Sequence, residues 1–381
     1  MAEPARPVAI IGGGVVGAAV AHALARRGVA ATLLEAEDDL ALGASGTNSG
    51  ILHTGFDSAL GTLETELIRR SAALREPMFE QAGVAVLRCG AILRPHGEAE
   101  ARTVVSLAAA AQANRVEVRL RDDGALEVPG EAVTDPVAYV LALAAAAAGA
   151  GAEIRTSARV VAIGREHGRL RLALAGGGQV VCAVAVNCAG LHADDVAALA
   201  GDDSFAVYPR KGEFLVFDPP DARALERILL PVPTRRTKGV LVFPTIDGKV
   251  VAGPTAHDQE DKSDWSVRAE AHEELLAKAR AMLPALEGAE PIASYAGLRP
   301  AGRGTNYVIG PSTACPGLIN VAAIRSTGLS ASLGIGEYVA GLVADQGVVL
   351  GPDRPLAPIP PSAGDRAWWR RTALYRSGVV R

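Results

Sequence analysis

Two hydrophobic periods take turns along this chain. Near its start, Val8–Ile11 (VAII) is an unbroken apolar run of strand length. Residues 15–27 then repeat apolar positions at helical spacing until Gly28 closes them. A second apolar run, residues 31–35 (ATLLE), ends in an acid, giving the order of a βαβ unit in a buried parallel sheet. From residue 43 to 57 (GASGTNSGILHTGFD) neither period persists, and a glycine-rich loop with a helix start at residues 45–49 is predicted. Residues 141–153 read as a buried Ala-rich helix leading into a strand. Residues 152–163 read as two short strands or one bent strand, and 182–190 as a buried strand ended by a glycine turn. Between these, residues 81–139 and 201–295 mix alternating apolar strands with charged turns. The clearest are 205–217 and 240–251, the latter folded as a hairpin about IDGK at 246–249. A helix is predicted over 333–343. From about 346 the chain is Pro-rich and extended (GPDRPLAPIPP), followed by WWRR at 368–371.

The 381 residues suit two domains or one large domain with an insertion. Half the chain is apolar (49%) but only 4% is aromatic, so Ala, Val and Leu must fill the core. The net charge of −4 is well mixed, and without a long basic run nucleic acid is not an expected partner. The four cysteines (Cys89, Cys182, Cys188, Cys315) form no C-x-x-C pair. Reduced thiols in a cytosolic protein are expected, with no metal centre. No segment reads as a signal peptide or a membrane span. The WWRR segment is read as packing on the body, with contact to a membrane surface or partner subunit as the alternative.

The first candidate chemistry is at Gly12, Gly13, Gly14, Val15, Val16 and Gly17, which fit G-x-G-x-x-G between strand and helix. Gly12 permits the turn, Gly14 lets the backbone approach a pyrophosphate, and Gly17 lets the helix pack close to the strand. The helix N-terminus adds free N–H groups and partial positive charge. Glu35, beside Ala36, can accept hydrogen bonds from both ribose hydroxyls, which disfavours a 2′-phosphate. The motif alone does not separate NAD from FAD. An NAD dehydrogenase would continue with simple βαβ repeats; this chain continues instead with Ser45, Thr47, Asn48, Ser49, Gly50 and His53. Such a loop can run beneath a second phosphate or a ring system.

With IIGGGVVGAAVAHALARRG and LLE, the segments SGTNSGILHTGF, VNCAGLHAD, YPRKGEFLVFD, GVLVFPTIDGKVVAGPTA, YAGLRPAG and INVAAIRSTGLSAS recur in order. Together they resemble the FAD-dependent oxidoreductases of the D-amino-acid-oxidase superfamily, in the branch of glycerol-3-phosphate dehydrogenase/oxidase and L-2-hydroxyglutarate dehydrogenase. Thr47 and Thr54 depart from that pattern.

The resemblance implies an α/β fold in which a Rossmann-type FAD-binding domain (1–80, 140–200, 296–345) is interleaved with a mostly antiparallel α+β substrate-binding cap (81–139, 201–295), before a tail at 346–381. It implies non-covalent FAD, with residues 45–49 and Gly50 along the pyrophosphate and flavin edge. Val160 and Val161 would lie on the adenine, and Ala189 and Gly190 beside the dinucleotide. Ser326, Thr327, Gly328, Leu329 and Ser330 would lie at the pyrimidine end of the flavin. His53 is implied as the base and Arg299 as the anchor of an anionic substrate, with Arg325 and then Lys211 as further cations. The reaction implied is oxidation of a secondary alcohol on a small phosphate or carboxylate, glycerol 3-phosphate first. A 2-hydroxy acid, an amine, or a non-catalytic flavoprotein subunit are the alternatives. Oxygen, a quinone or a partner protein would accept the electrons, in the cytoplasm or peripheral to the inner face of the membrane.

Overall fold

Val8–Ile11 (β1) and Ala31–Leu34 (β2) are buried at every position, as a sheet covered on both faces requires. In the computed structural model, which describes residues 7–219, 221, 224–234, 239–357 and 367–377, they lie at the centre of a six-stranded sheet. Its order is Val308–Pro311, Leu318–Ala322, Val184–Asn187, β1, β2, Glu153–Arg155, and every pair is parallel except the Val308–Pro311 edge. Chain order reverses at β1, so the loops leaving the carboxyl ends of these strands converge at a topological switch point. The helix Val15–Arg26 (α1) packs against Pro136–Gly149 and Gly328–Asp345. Contacts are close because the core is poor in aromatics. A methyl on Gly336 would lie 2.5 Å from the Ala19 carbonyl oxygen. The residues 1–6 read for a signal peptide and the end of the Pro-rich run at 358–361 lie outside the described residues.

The second layer is a nine-stranded, mostly antiparallel sheet. Its spine is Val207–Phe217 paired with Ala293–Gly302 from Val207↔Gly302 to Val216↔Ala293. The expected cofactor-domain segment starting at 296 is therefore corrected: YAGLRPAG belongs to the cap's sheet as far as Gly302. Its Pro300 sits opposite Pro209, so both missing N–H donors share one rung and the ladder survives them. The predicted hairpin is Leu241–Pro244 with Val250–Gly253. A small third sheet joins Ile51–Leu52 (β3) to Ala132–Thr134, and that strand to Val86–Leu87.

Two local expectations are also corrected. Residues 45–49 form turns rather than a helix start; a methyl on Gly46 would lie 2.2 Å from the Ala41 carbonyl oxygen, so the loop doubles back on itself. The helix predicted from 333 begins at Gly328. In the tail, Trp368 is buried with its ring edge-on to Tyr295 at 5.5 Å, and Trp369 donates to Asp247 at 2.9 Å. Both tryptophans are thus packed on the body, as the first reading of WWRR expected. No helix among the described residues is long and apolar enough to cross a membrane.

Candidate active site

β1 ends in a turn whose shape only glycine tolerates. Gly12 has φ +110°, and a Cβ there would lie 2.4 Å from the Cys188 carbonyl oxygen; a Cβ on Gly17 would lie 1.9 Å from that of Gly12. The turn thus delivers the N-terminus of α1 into the crevice at the sheet's carboxyl edge. Its cap position is Gly14, which has no side chain to satisfy the first N–H groups. Ser45 takes one of them, accepting from Val15 N at 2.9 Å. Glu35 braces the turn from β2, accepting from Gly13 N at 2.5 Å and Glu37 N at 2.9 Å.

This crevice opens into a cavity of about 830 Å³. Of the expected residues, Gly12, Gly14, Val15, Val16, Glu35, Ala36, Ser45, Asn48, Val160, Val161, Ala189, Gly190, Arg299, Arg325, Ser326, Gly328 and Leu329 line it. Gly17, Thr47, Ser49, Gly50, Thr327 and Ser330 do not line it; they support the residues that do. Thr47 is buried against the Gly43 and Ala44 carbonyls, and Gly50 N is tied to Asn48 Oδ1. Ser49 Oγ accepts from Ile51 N at 3.3 Å. Thr327 donates to Glu64 and bonds the Tyr307 hydroxyl. Because Thr327 is the cap position of Gly328–Asp345 and its hydroxyl is engaged elsewhere, that helix also presents uncapped N–H groups at the cavity wall.

The sequence reading missed Ala158, Arg159, residues 261–263, Trp265 and Arg376, which also line the cavity. Arg376 lies 4.5 Å from the centroid of the Trp265 ring and donates to the Leu42 carbonyl at 2.8 Å. Tail and cap loop therefore meet at the cavity wall beside Leu42, a contact that no local motif signals.

The cations differ sharply in what holds them. Arg299 lies in mid-strand, directly across from Arg210. Its guanidinium is largely buried and donates to three backbone carbonyls: Arg210 at 3.0 Å, Lys211 at 3.1 Å and Thr255 at 2.8 Å. No carboxylate is bonded to it among the described residues. Burial first, then Arg210 and Arg325, push its pKa down to about 10, with Asp258 working the other way. Gly212 makes the room: a Cβ there would come within 3.3 Å of this guanidinium. Arg210 is held by both oxygens of Asp258, at 2.7 and 3.0 Å. Arg325 is exposed on the cavity wall, with no hydrogen bond or ion pair among the described residues.

Lys211 is corrected as an anion anchor. Strand alternation turns it to the face opposite Arg210. There, 1% exposed, it pairs with Asp264 at 2.7 Å and donates to the Ser266 carbonyl at 3.1 Å. Lys211, with Ser266, holds the Asp264 carboxyl down at about 2. Its role is to pin the cap loop that walls the cavity.

His53 does not line the cavity but stands next to residues that do. Its backbone N–H donates to Ser330 Oγ at 2.8 Å, in the first turn of the helix whose Gly328 and Leu329 face the cavity. A quarter (25%) of its side chain is exposed, and Nδ1 is 2.8 Å from the fully buried Glu131 carboxylate. A lone acid in the segment PGEAVT carries no sequence signal, and Glu131 was missed.

Residues 7–342 match the family described as FAD dependent oxidoreductase (DAO). Glycerol 3-phosphate dehydrogenase of Caloramator mitchellensis is 28% identical over 88% of this chain and 73% of its own. The mitochondrial L-2-hydroxyglutarate dehydrogenase of Homo sapiens is 27% identical over 65% of this chain and 60% of its own. Among solved structures, the dithionite-reduced L-α-glycerophosphate oxidase of Mycoplasma pneumoniae with FAD bound is similar, with a TM-score of 0.85. It is 25% identical, and the match covers 93% of this chain and 98% of that one.

Proposed function

The chain belongs to the DAO family of FAD-dependent oxidoreductases, and on that premise we propose that it oxidises the secondary alcohol of a small anionic substrate, glycerol 3-phosphate, to the ketone dihydroxyacetone phosphate. Two features suit the cavity to FAD. The tight turn at Gly12 and Gly17 brings the Gly14 backbone to the crevice with no side chain in front of it, and two helix N-termini whose own cap residues bond none of their N–H groups border that crevice. In this reading Gly14, Val15 and Val16 hold the pyrophosphate, Glu35 the ribose, and Val160 and Val161 the adenine, without a covalent link. Ser326, Gly328 and Leu329 flank the pyrimidine of the flavin. There the helix end favours the negative charge that collects on reduction. Bound FAD supplies the two-electron oxidant.

The chain's own side chains do the rest. Arg299 carries the reading: it is a buried cation that donates to three carbonyls but has no neutralising charge, and it faces the cavity. Its planar fork suits a phosphate or a carboxylate. Arg325, free on the same wall, supplies a second positive charge, which favours a dianionic phosphate over a carboxylate. His53 takes the hydroxyl proton, and holding anion and base together supplies proximity.

The test is to mix the purified holoprotein with sn-glycerol 3-phosphate in the absence of oxygen and follow the visible spectrum. Bleaching of the flavin bands is expected to be rapid with the wild type and only slow and residual with His53→Ala. Bands that stay oxidised with glycerol 3-phosphate but bleach with a 2-hydroxy acid would move the substrate to the carboxylate class. That second reading is favoured by the hydroxyglutarate dehydrogenase relative.

A further inference from the structure

We propose that Glu131 is a positioning residue for His53, fixing the ring tautomer that leaves Nε2 free to take the proton; this rests on His53 being the base. The placement follows from strand register. β3 pairs with Ala132–Thr134 as Ile51↔Val133 and Leu52↔Ala132. One step further along the same register, His53 faces Glu131, though neither belongs to the short strands. Cross-strand partners share a face, so the ring and the carboxylate meet directly.

The carboxylate is 0% exposed and its two oxygens have separate duties. Oε1 accepts from Thr54 N at 2.7 Å and Thr54 Oγ1 at 2.9 Å. Oε2 faces His53 Nδ1 at 2.8 Å. An ionised carboxylate can only accept, so Nδ1 must carry a hydrogen and the neutral ring keeps its lone pair on Nε2. When Nε2 takes a proton, the same carboxylate lies beside the imidazolium that forms, as in a catalytic triad. A buried cation completes the arrangement. Arg75 donates to the Ser330 carbonyl at 3.1 Å and to the His53 carbonyl at 3.5 Å. Desolvation lowers its pKa, and the negative charge of Glu131 is among the influences that offset this. Thr54, a departure from the family pattern, supplies both donors that orient Oε1.

This division of duties makes Glu131→Gln a sharp test. Thr54 N–H can only donate, so the amide oxygen must take the Oε1 place and the NH₂ must face Nδ1. Nδ1 then becomes the acceptor and the hydrogen moves to Nε2, removing the base without changing shape. In anaerobic stopped-flow of the holoenzyme with sn-glycerol 3-phosphate, Glu131→Gln is expected to slow flavin reduction about 10²–10⁴-fold. Substrate affinity, flavin content and melting temperature should stay near wild type. In a His53→Ala background, Glu131→Gln should add no more than about twofold.

Wild-type reduction rates in Glu131→Gln, with His53→Ala inactive, would overturn the proposal and leave His53 as the base. An additive loss in the double variant, or a loss confined to affinity, would also overturn it, assigning Glu131 a structural role. Normal turnover by His53→Ala would remove the underlying reading as well. A second measurement uses only the wild type, so a variant that fails to fold does not block the test. Nitrogen NMR of histidine-labelled protein should show neutral His53 protonated on Nδ1; an Nε2–H ring would overturn the proposal.

Discussion

At the end of the cavity proposed for the nucleotide the chain offers main-chain atoms from one continuous stretch, residues 12–17, with Ser45 and Glu35 as braces. At the end proposed for the substrate it offers side chains gathered from separate segments: Arg299 and Arg325 on the wall, with His53 and Glu131 behind it. The first kind of site tolerates almost no added volume, because it is made by backbone lying against backbone. The second tolerates changes of shape but not of charge or hydrogen-bond sense, because its working parts are a cation with no counter-ion and an oriented ring. One region is limited by packing and the other by electrostatics.

The largest expected effect tests the packing half. Gly17→Ala puts a methyl 1.9 Å from the Gly12 carbonyl oxygen, where only backbone can yield. It should cost at least about 3 kcal/mol and give little or no flavin-containing protein, read by the ratio of flavin to protein absorbance. Gly14→Ala meets only Ser45 Oγ, at 3.0 Å, and should fold normally while holding flavin about tenfold more weakly by titration of apoprotein, since the methyl stands where the phosphates approach. Equal damage from both would dissolve the distinction.

Next is Arg299→Leu, which should retain flavin but raise the KM for an anionic substrate by about 10²–10³-fold, the loss of a buried charge-assisted pair. Lys211→Met, on the neighbouring strand, should change KM less than about threefold. It should instead loosen residues 259–266, read by limited proteolysis, because Asp264 loses its partner. A KM effect of Lys211→Met as large as that of Arg299→Leu would mean that both faces of the sheet serve the substrate.

The smallest effect is in the alkaline limb. In the proposed reading the cationic form of Arg299 binds the anion, and burial pushes its pKa down to about 10. Affinity should be level below that pH and weaken up to tenfold per unit above it, as the proton is lost. A KM flat to pH 11, measured with a substrate already fully ionised, would show that burial does not bring the Arg299 pKa into this range, and would leave Arg299→Leu as the test of the anchor.

The packing half was legible in the sequence because its requirement is local: strand, glycines, helix and acid follow one another within 35 residues. What was not legible depends on strand pairing. Two basic residues stand side by side in PRKGE, and alternation sends one to the face of Arg299, where it pairs with Asp258, and the other to a buried ion pair on the opposite face. Which is which follows from register, and register is set by partners some 90 residues away. Glu131 met His53 across 78 positions by the same route. The late prediction of the helix at 328 has a different cause: Gly328 is a poor helix former, and tertiary packing overrides that weakness.

The carbonyls of Arg210, Lys211 and Thr255 that aim Arg299 belong to the main chain, so no replacement of those three side chains deletes an acceptor. An anion anchor at Arg299 would thus be insulated from mutational drift in its surroundings. Lineages or libraries that vary the wall around it, Arg325 foremost, can explore new anions while the grip on the charge is inherited intact. Selectivity in such a scaffold would diversify at the rim, leaving the socket unchanged.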